Sequence, residues 1–252
     1  MTAAEMEAEF DTVAVWTERV VRDCGCDCAI PAACRGSGSP AWLSWLADGL
    51  NVHADERFLD AGAGLGGPAA WLREQRGVAP VLAEPMEGAC GSARRLFGLP
   101  TVAGWSEALP FRGGTFDAAW LLGVLCTTTE KRSLLRELRR VLTPDGRLGL
   151  LVLVQMAEEL ADPPEGNEFP TRQSLRLDLA AAGFRIQTQI NTSQLPEADE
   201  VWQQRVADVE ASLAKRYAGR AAWETAQAQV GRISRLLHDG AIETWLIQAR
   251  AA

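Results

Sequence analysis

The stretch that most constrains this chain is RFLDAGAGLGGPAAWL, residues 57–72. A short apolar run ends in an acid, four glycines then fall within residues 62–67, and an amphipathic segment follows until Gly77 closes it. Strand, bare turn and helix in that order make the first half of a βαβ unit and predict a parallel sheet with crossover helices. The glycines fit two spacings. Gly62, Gly64 and Gly67 satisfy G-x-G-x-x-G, while Asp60 with Gly62, Gly64 and Gly66 satisfies D-x-G-x-G-x-G. Glycine alone does not choose between them, because any ligand with a polar or anionic tail can approach bare backbone at a helix N-terminus.

The rest of the chain extends the same grammar. PVLAEP, PTVAG, FDAAWLLG and RLGLLVLVQ read as the second to fifth strands, with helices GACGSARRLFG and TEKRSLLRELRRVL between them; the second helix carries Leu134, Leu135, Leu138, Val141 and Leu142 as one apolar stripe. Five strands so joined imply right-handed crossovers. Ahead of them, a helix over residues 5–23 and a second one in SPAWLSWLADGL, with Ser39 as its expected cap and Pro40 in its first turn, form a helical cap over residues 1–50. Beyond residue 155 the reading is helix PTRQSLRLDLAAAGF, strand RIQTQINTSQL, a helical insertion within 196–240 long enough for a lid, and a last strand at 241–252, leaving residues 51–195 as the core.

With 252 residues, 47% of them hydrophobic, the chain can bury one good core. Its formal charge of −8 and pI near 5.0 exclude a broad nucleic-acid footprint, which needs a basic face. No stretch approaches the roughly 20 apolar residues of a membrane helix, and the acidic start MTAAEMEAEF is unlike a secretion signal, so a cytoplasmic protein with a small-molecule partner is expected. Four of the six cysteines, Cys24, Cys26, Cys28 and Cys34, cluster in DCGCDCAIPAAC. Structural zinc sites favour two to four residues between paired ligands. The cluster is therefore read as small residues where the N-terminal helix packs over the glycine turn, and no metal is expected.

Asp60 separates the two glycine readings. A carboxylate beside a dinucleotide pyrophosphate is repulsive, whereas it suits a ligand with positive charge nearby, and S-adenosylmethionine carries an ammonium and a sulfonium. From Asp60 on, five pieces in register resemble the class I S-adenosylmethionine-dependent methyltransferases, and especially their small-molecule enzymes with an EALPF signature: LDAGAGLGG, LAEPM, SEALPFRGGTFDAAWLLGVL, LLRELRRVLTPDG and RLGLL, over roughly residues 56–155. The resemblance implies a Rossmann-like, doubly wound, mostly parallel seven-stranded α/β sheet with an antiparallel last strand. It also implies roles. Gly62 and Gly64, with Ala61 and Ala63 of the same turn, would lie against the methionine moiety of S-adenosylmethionine, Asp60 would orient its ammonium, Glu84 would hold the ribose, Pro85 and Met86 would pack on the adenine, and Leu122 and Gly123 would border the methyl group. Trp105 departs from the pattern: the family commonly has an adenine-binding Asp there, and an indole N–H only donates. The expectation is that Trp105 stacks on the purine while Ser106 or Glu107 takes the polar role; the other reading is an altered adenine pocket.

Methyl transfer proceeds mainly through alignment and needs a base only for some acceptors. The natural bases near neutrality are His53, before the first strand, and His238, at the end of the insertion; neither is assigned, and the catalytic residues stay open. LCTTTEK after the fourth strand lacks the N-P-P-Y or D-P-P-Y run of nucleobase and glutamine methylation. Trp16, Trp42, Trp45, Trp202, Tyr217 and Trp223 are read as core before pocket. Three functions stay in view: a small-molecule methyltransferase, a protein of that fold that binds the cofactor without methylating, and a nicotinamide-dependent oxidoreductase.

Overall fold

The computed structural model describes residues 3–105 and 108–252, the side chains of residues 3–7 and of Cys26 excepted. Seven strands form one sheet: β1 (Phe58–Ala61), β2 (Val81–Glu84), β3 (Thr101–Ala103), β4 (Phe116–Leu122), β5 (Leu142–Gln155), β6 (Phe184–Asn191) and β7 (Ile242–Ala251). Their order is β3-β2-β1-β4-β5-β7-β6. The first five pair in parallel, and β7 lies antiparallel between β5 and β6. The expected sheet is therefore present, its antiparallel last strand included. The pattern follows from burial: β1 and most of β4 are buried on both faces, as strands covered by helices on each side must be.

Side-chain parity assigns the two faces. Leu59, Ala61, Ala119 and Leu121 point to one side, where α6 (Lys131–Val141) lays down Leu134, Leu135, Leu138 and Val141 and α7 (Arg172–Ala181) adds Leu175 and Leu179. Phe58, Ala118, Trp120 and Leu122 point to the other, against Leu43 and Leu46 of α3 (Pro40–Gly49) and Trp71 and Leu72 of α4 (Gly67–Arg76). Gly77 ends α4 in the left-handed conformation, as its place after the periodic run requires. Two local expectations need correction. Ser39 precedes α3, but its buried hydroxyl makes no cap bond and has no hydrogen-bond partner. The fourth-to-fifth crossover helix starts at Lys131, not Thr129, and β5 begins already at Leu142, with a shift of register against β4 between Phe116 and Ala118.

The N-terminal helix α1 runs Ala3–Cys24 and is followed by a short α2 (Ala29–Ala33). The insertion between β6 and β7 forms two helices, α8 (Glu200–Tyr217) and α9 (Ala221–His238). These are stitched to the N-terminal segment: Val20, Val21, Ala29 and Ala32 share a buried cluster with Val209, Leu213 and Trp223, and Trp16 stacks on Tyr217 at 4.1 Å. Trp42, Trp45 and Trp202 pack half-buried against the α3 face of the sheet, so the aromatics act as core. The remaining crossover helix, α5 (Glu87–Phe97), is held to α1 by Glu18, a buried carboxylate 3.4 Å from Arg22 and 3.3 Å from Arg95.

Gly67 shows how tightly the N-terminal segment is seated. A Cβ there would stand 2.4 Å from the carbonyl carbon of Ala33 and 2.6 Å from the amide of Cys34, both backbone atoms that cannot rotate away. Gly67→Ala is expected to push α2 off α4 and lower stability by about 1–3 kcal/mol; thermal unfolding that leaves the midpoint unchanged would contradict this packing.

Candidate functional site

The site lies at the C-terminal ends of β1, β2 and β4, where the turn after β1 faces the start of α4. Gly62, Gly64 and Gly66 all have positive φ, and the amides of Gly62 and Ala63 both donate to the carbonyl of Ala83, at 2.8 and 3.2 Å. The left-handed glycines are thus those of the D-x-G-x-G-x-G spacing, whereas Gly67 is helical and glycine for packing. The walls come from elsewhere. A Cβ on Gly62 would lie 2.5 Å from Val124, and one on Gly64 would touch the ring of Phe10 from α1 at 3.4 Å.

Asp60 has the electrostatics expected of a site residue. It pairs in register with Trp120, so both side chains emerge on the same face, beneath the first turn of α4. Its exposure is 2%, and Oδ2 has no hydrogen-bond partner. Burial raises the carboxyl to about pH 7, helped by the nearby charge of Glu84; the Trp120 indole and the Ala69 amide pull the other way. The indole nitrogen falls short of a full hydrogen bond and is itself unpartnered. Cys34 is buried close by, its thiol held well above its usual range by burial and by Asp60.

Glu84, at the end of β2, is 3% exposed and bonded on both oxygens: Oε2 accepts from the Gly64 amide at 2.7 Å and Oε1 from the Met86 amide at 3.1 Å. Burial raises it to about 6 against these bonds, and Asp11 adds a smaller push upward. Asp11, on α1, accepts from the Ala89 amide in the first turn of α5 at 2.8 Å. Pro85 and Met86 follow Glu84, half-buried, with Met86 packed near Leu65. Gly104, just after the neighbouring strand β3, donates to the Glu84 carbonyl at 3.2 Å, and Trp105 follows it, 51% exposed. Ser106 and Glu107 lie outside the described residues.

At the tip of β4, Leu122 is buried and Gly123 donates to Leu151 at 2.9 Å. A Cβ on Gly123 would lie 3.2 Å from the carbonyl oxygen of Gly36, so the α2–α3 connection overhangs the tip. Next to it, Arg35 meets Glu210 of α8 at 3.3 Å and the charge of Glu9 of α1, whose carboxyl burial raises. Phe10, Asp11, Arg35 and Gly36 escape sequence reasoning: they reach the site from other elements, and no spacing in the chain marks them. The two histidines stay away from the tip: His53 is exposed before β1 with Nε2 2.9 Å from the Asn51 amide nitrogen, and His238 is exposed at the end of α9. Among the described residues no three His, Cys, Asp or Glu side chains group as a metal site; Cys24 is exposed, and Cys26 is undescribed.

The sheet order 3-2-1-4-5-7-6, with a glycine turn after the first strand and an acid ending the second, is the fold on which solved methyltransferase structures superpose. Residues 59–150 match the family model of the methyltransferase domain. It is 32% identical over 116 residues to the methyltransferase GfsG of Streptomyces halstedii, covering 43% of this chain and 42% of that protein. It is 30% identical over 132 residues to the ubiquinone/menaquinone biosynthesis C-methyltransferase UbiE of Stenotrophomonas maltophilia, covering 49% and 52%. The chain thus aligns with about half the length of the curated relatives it matches. Among solved structures it superposes on the [4+2]-cyclase SpnF with a TM-score of 0.66 at 23% identity, over 83% of this chain and 79% of that one. On geranyl diphosphate C-methyltransferase from Streptomyces coelicolor the TM-score is 0.62 at 15% identity, over 83% and 76%.

The raised carboxyl of Asp60 has a sign that can be tested. A buried acid with a raised folded-state value favours folding while protonated, below its ordinary value of 3.8, and that contribution is lost as pH rises through about 7. Asp60→Asn should therefore gain stability over the wild type between pH 4 and 8, by an amount on the order of 1–3 kcal/mol. Parallel denaturation curves for the two proteins across that range would show Asp60 to be hydrated and the burial argument wrong.

Proposed function

We propose that this protein is an S-adenosylmethionine-dependent methyltransferase acting on a small-molecule acceptor. The observation that carries the reading is the orphaned, fully buried Oδ2 of Asp60 beside a turn of left-handed glycines. An unpaired acceptor in such a place is costly unless a donor arrives, and a cationic ligand supplies one while returning the carboxyl to its charged form. A pyrophosphate would add anion to anion, which sets the nicotinamide-dependent oxidoreductase aside.

The residues present fit that group. Asp60 would orient its ammonium, the backbone of residues 61–64 would lie along its methionine chain, and Glu84 would take the ribose hydroxyls on lone pairs left free by the Gly64 and Met86 amides. Pro85, Met86 and the exposed ring of Trp105 would border the adenine, with Ser106 or Glu107 as the polar partner. When bound, the cofactor supplies an electrophilic methyl group on a sulfonium. The chain's own part is positional: Leu122 and Gly123 leave room at the tip of β4, while the Gly36 carbonyl and the Glu9–Arg35–Glu210 group bound the space above it. In-line alignment can be worth several kcal/mol without any covalent catalyst. The names of GfsG, UbiE and the geranyl diphosphate enzyme describe methyltransferases, the last two acting on small molecules, and this supports a small-molecule acceptor.

The chain's acidity and the lack of an N-P-P-Y run argue against nucleic acid, and among the described residues no helix is long and apolar enough to cross a membrane. A cytoplasmic site of action is the accompanying proposal. A second reading, cofactor binding without methyl transfer, is favoured by two observations: both histidines lie away from the tip, and a structural neighbour on this fold is named a [4+2]-cyclase.

Calorimetry is expected to show S-adenosylhomocysteine binding and no NADH binding; the reverse pattern would falsify the assignment. Asp60→Ala and Glu84→Ala should each weaken that binding by about 1–3 kcal/mol through loss of charge-assisted hydrogen bonds. Methyl label transferred from the cofactor to a member of a metabolite library supports the first reading. Binding without transfer to any acceptor supports the second.

A further inference from the structure

Away from the site at the β1–β4 tips, the α7 side of the sheet holds a cavity of about 530 Å³. It lies between α7 and the β7–β6 edge, and its lining includes Val154, Ile186, Trp245 and Ile247. This volume falls in the range of small-molecule pockets, roughly 300–1,000 Å³. It shares no residue with the glycine turn, Glu84 or the β4 tip.

Two features give the cavity a charge preference. Arg172 and Arg176 stand four residues apart on α7, hence on one side of the helix, and both line the cavity together with Gln173 and Gln189. The Arg172 guanidinium lies over the Trp245 ring, 4.4 Å from its centroid. Among the described residues neither arginine forms an ion pair, in a chain with 33 acids against 25 bases. Of the acids near this face, Glu243 accepts from the Trp245 indole at 2.9 Å and so stands at the cavity wall as a single negative charge against the two arginines, while Asp178, further along α7, pairs with Arg132. Two free guanidiniums over an apolar floor match a carboxylate carried on a flat or branched apolar body, which the paired donors can grip bidentately.

We infer that this cavity is a second binding site, for an amphipathic carboxylate of metabolite size, independent of the methyl-transfer site. A second copy of the chain is the poorer occupant: a two-fold contact through this face would bring both arginine pairs into one seam and set like charges together.

The test uses 2-naphthoate, its neutral amide 2-naphthamide, and calorimetry on the whole chain. The wild type should bind one naphthoate, and the amide about tenfold more weakly or worse. Arg176→Gln should cost naphthoate roughly tenfold in affinity, and Ile186→Trp, which fills the floor, should abolish binding. Both variants should keep the wild-type thermal midpoint; if Ile186→Trp unfolds, Arg176→Gln decides. No naphthoate binding at millimolar concentration, equal binding of the amide, or unchanged affinity in Arg176→Gln would overturn the inference. So would sedimentation showing a wild-type dimer that Arg176→Glu dissociates, which would give the face to a second copy.

Discussion

The structure turns on one carboxylate held where water cannot reach it. Asp60 sits at the end of a strand buried on both faces, opposite Trp120 in the register and beneath the first turn of α4, with one oxygen unpartnered. Folding must bear the cost of that group, and perturbed buried acids of this kind concentrate at functional sites. Every nearby element accommodates it: glycines after it so that backbone can approach, Glu84 across the turn, and the α2–α3 connection closing the far wall.

Glu84 and Asp60 are a graded pair. Both are raised by burial, yet Glu84 is moderated by two backbone amides while Asp60 has weaker help, which leaves them near 6 and 7. A cation arriving between them favours both charged forms at once, so ligand affinity and carboxyl ionisation are linked. The same corner would repel a pyrophosphate, which is the physical ground of the proposed cofactor.

The N-terminal segment and the insertion after β6 behave as one cover. Trp16 on Tyr217 and the cluster joining Val20 to Trp223 tie helices that are distant in the chain, while Asp11 and Glu18 pin that cover to α5. None of these segments falls within residues 59–150, the stretch that matches the family model, except α5, so the proposed acceptor side of the site rests on contacts between segments with no shared motif.

The sequence by itself determined the sheet, the crossover helices, the helical insertion and the glycine turn after β1, because period-2 and period-3.6 apolar patterns and glycine spacing are local properties that one window of chain contains. It also picked out Asp60 and Glu84, since each stands at a fixed offset from a strand end. Only the tertiary structure decided that Ser39 forms no cap bond, that Gly67 is glycine because Ala33 presses on it, and that Phe10, Asp11, Arg35, Gly36 and Val124 wall the site. Those facts depend on which distant segments meet across the sheet, and long-range packing leaves no periodicity in the chain to read.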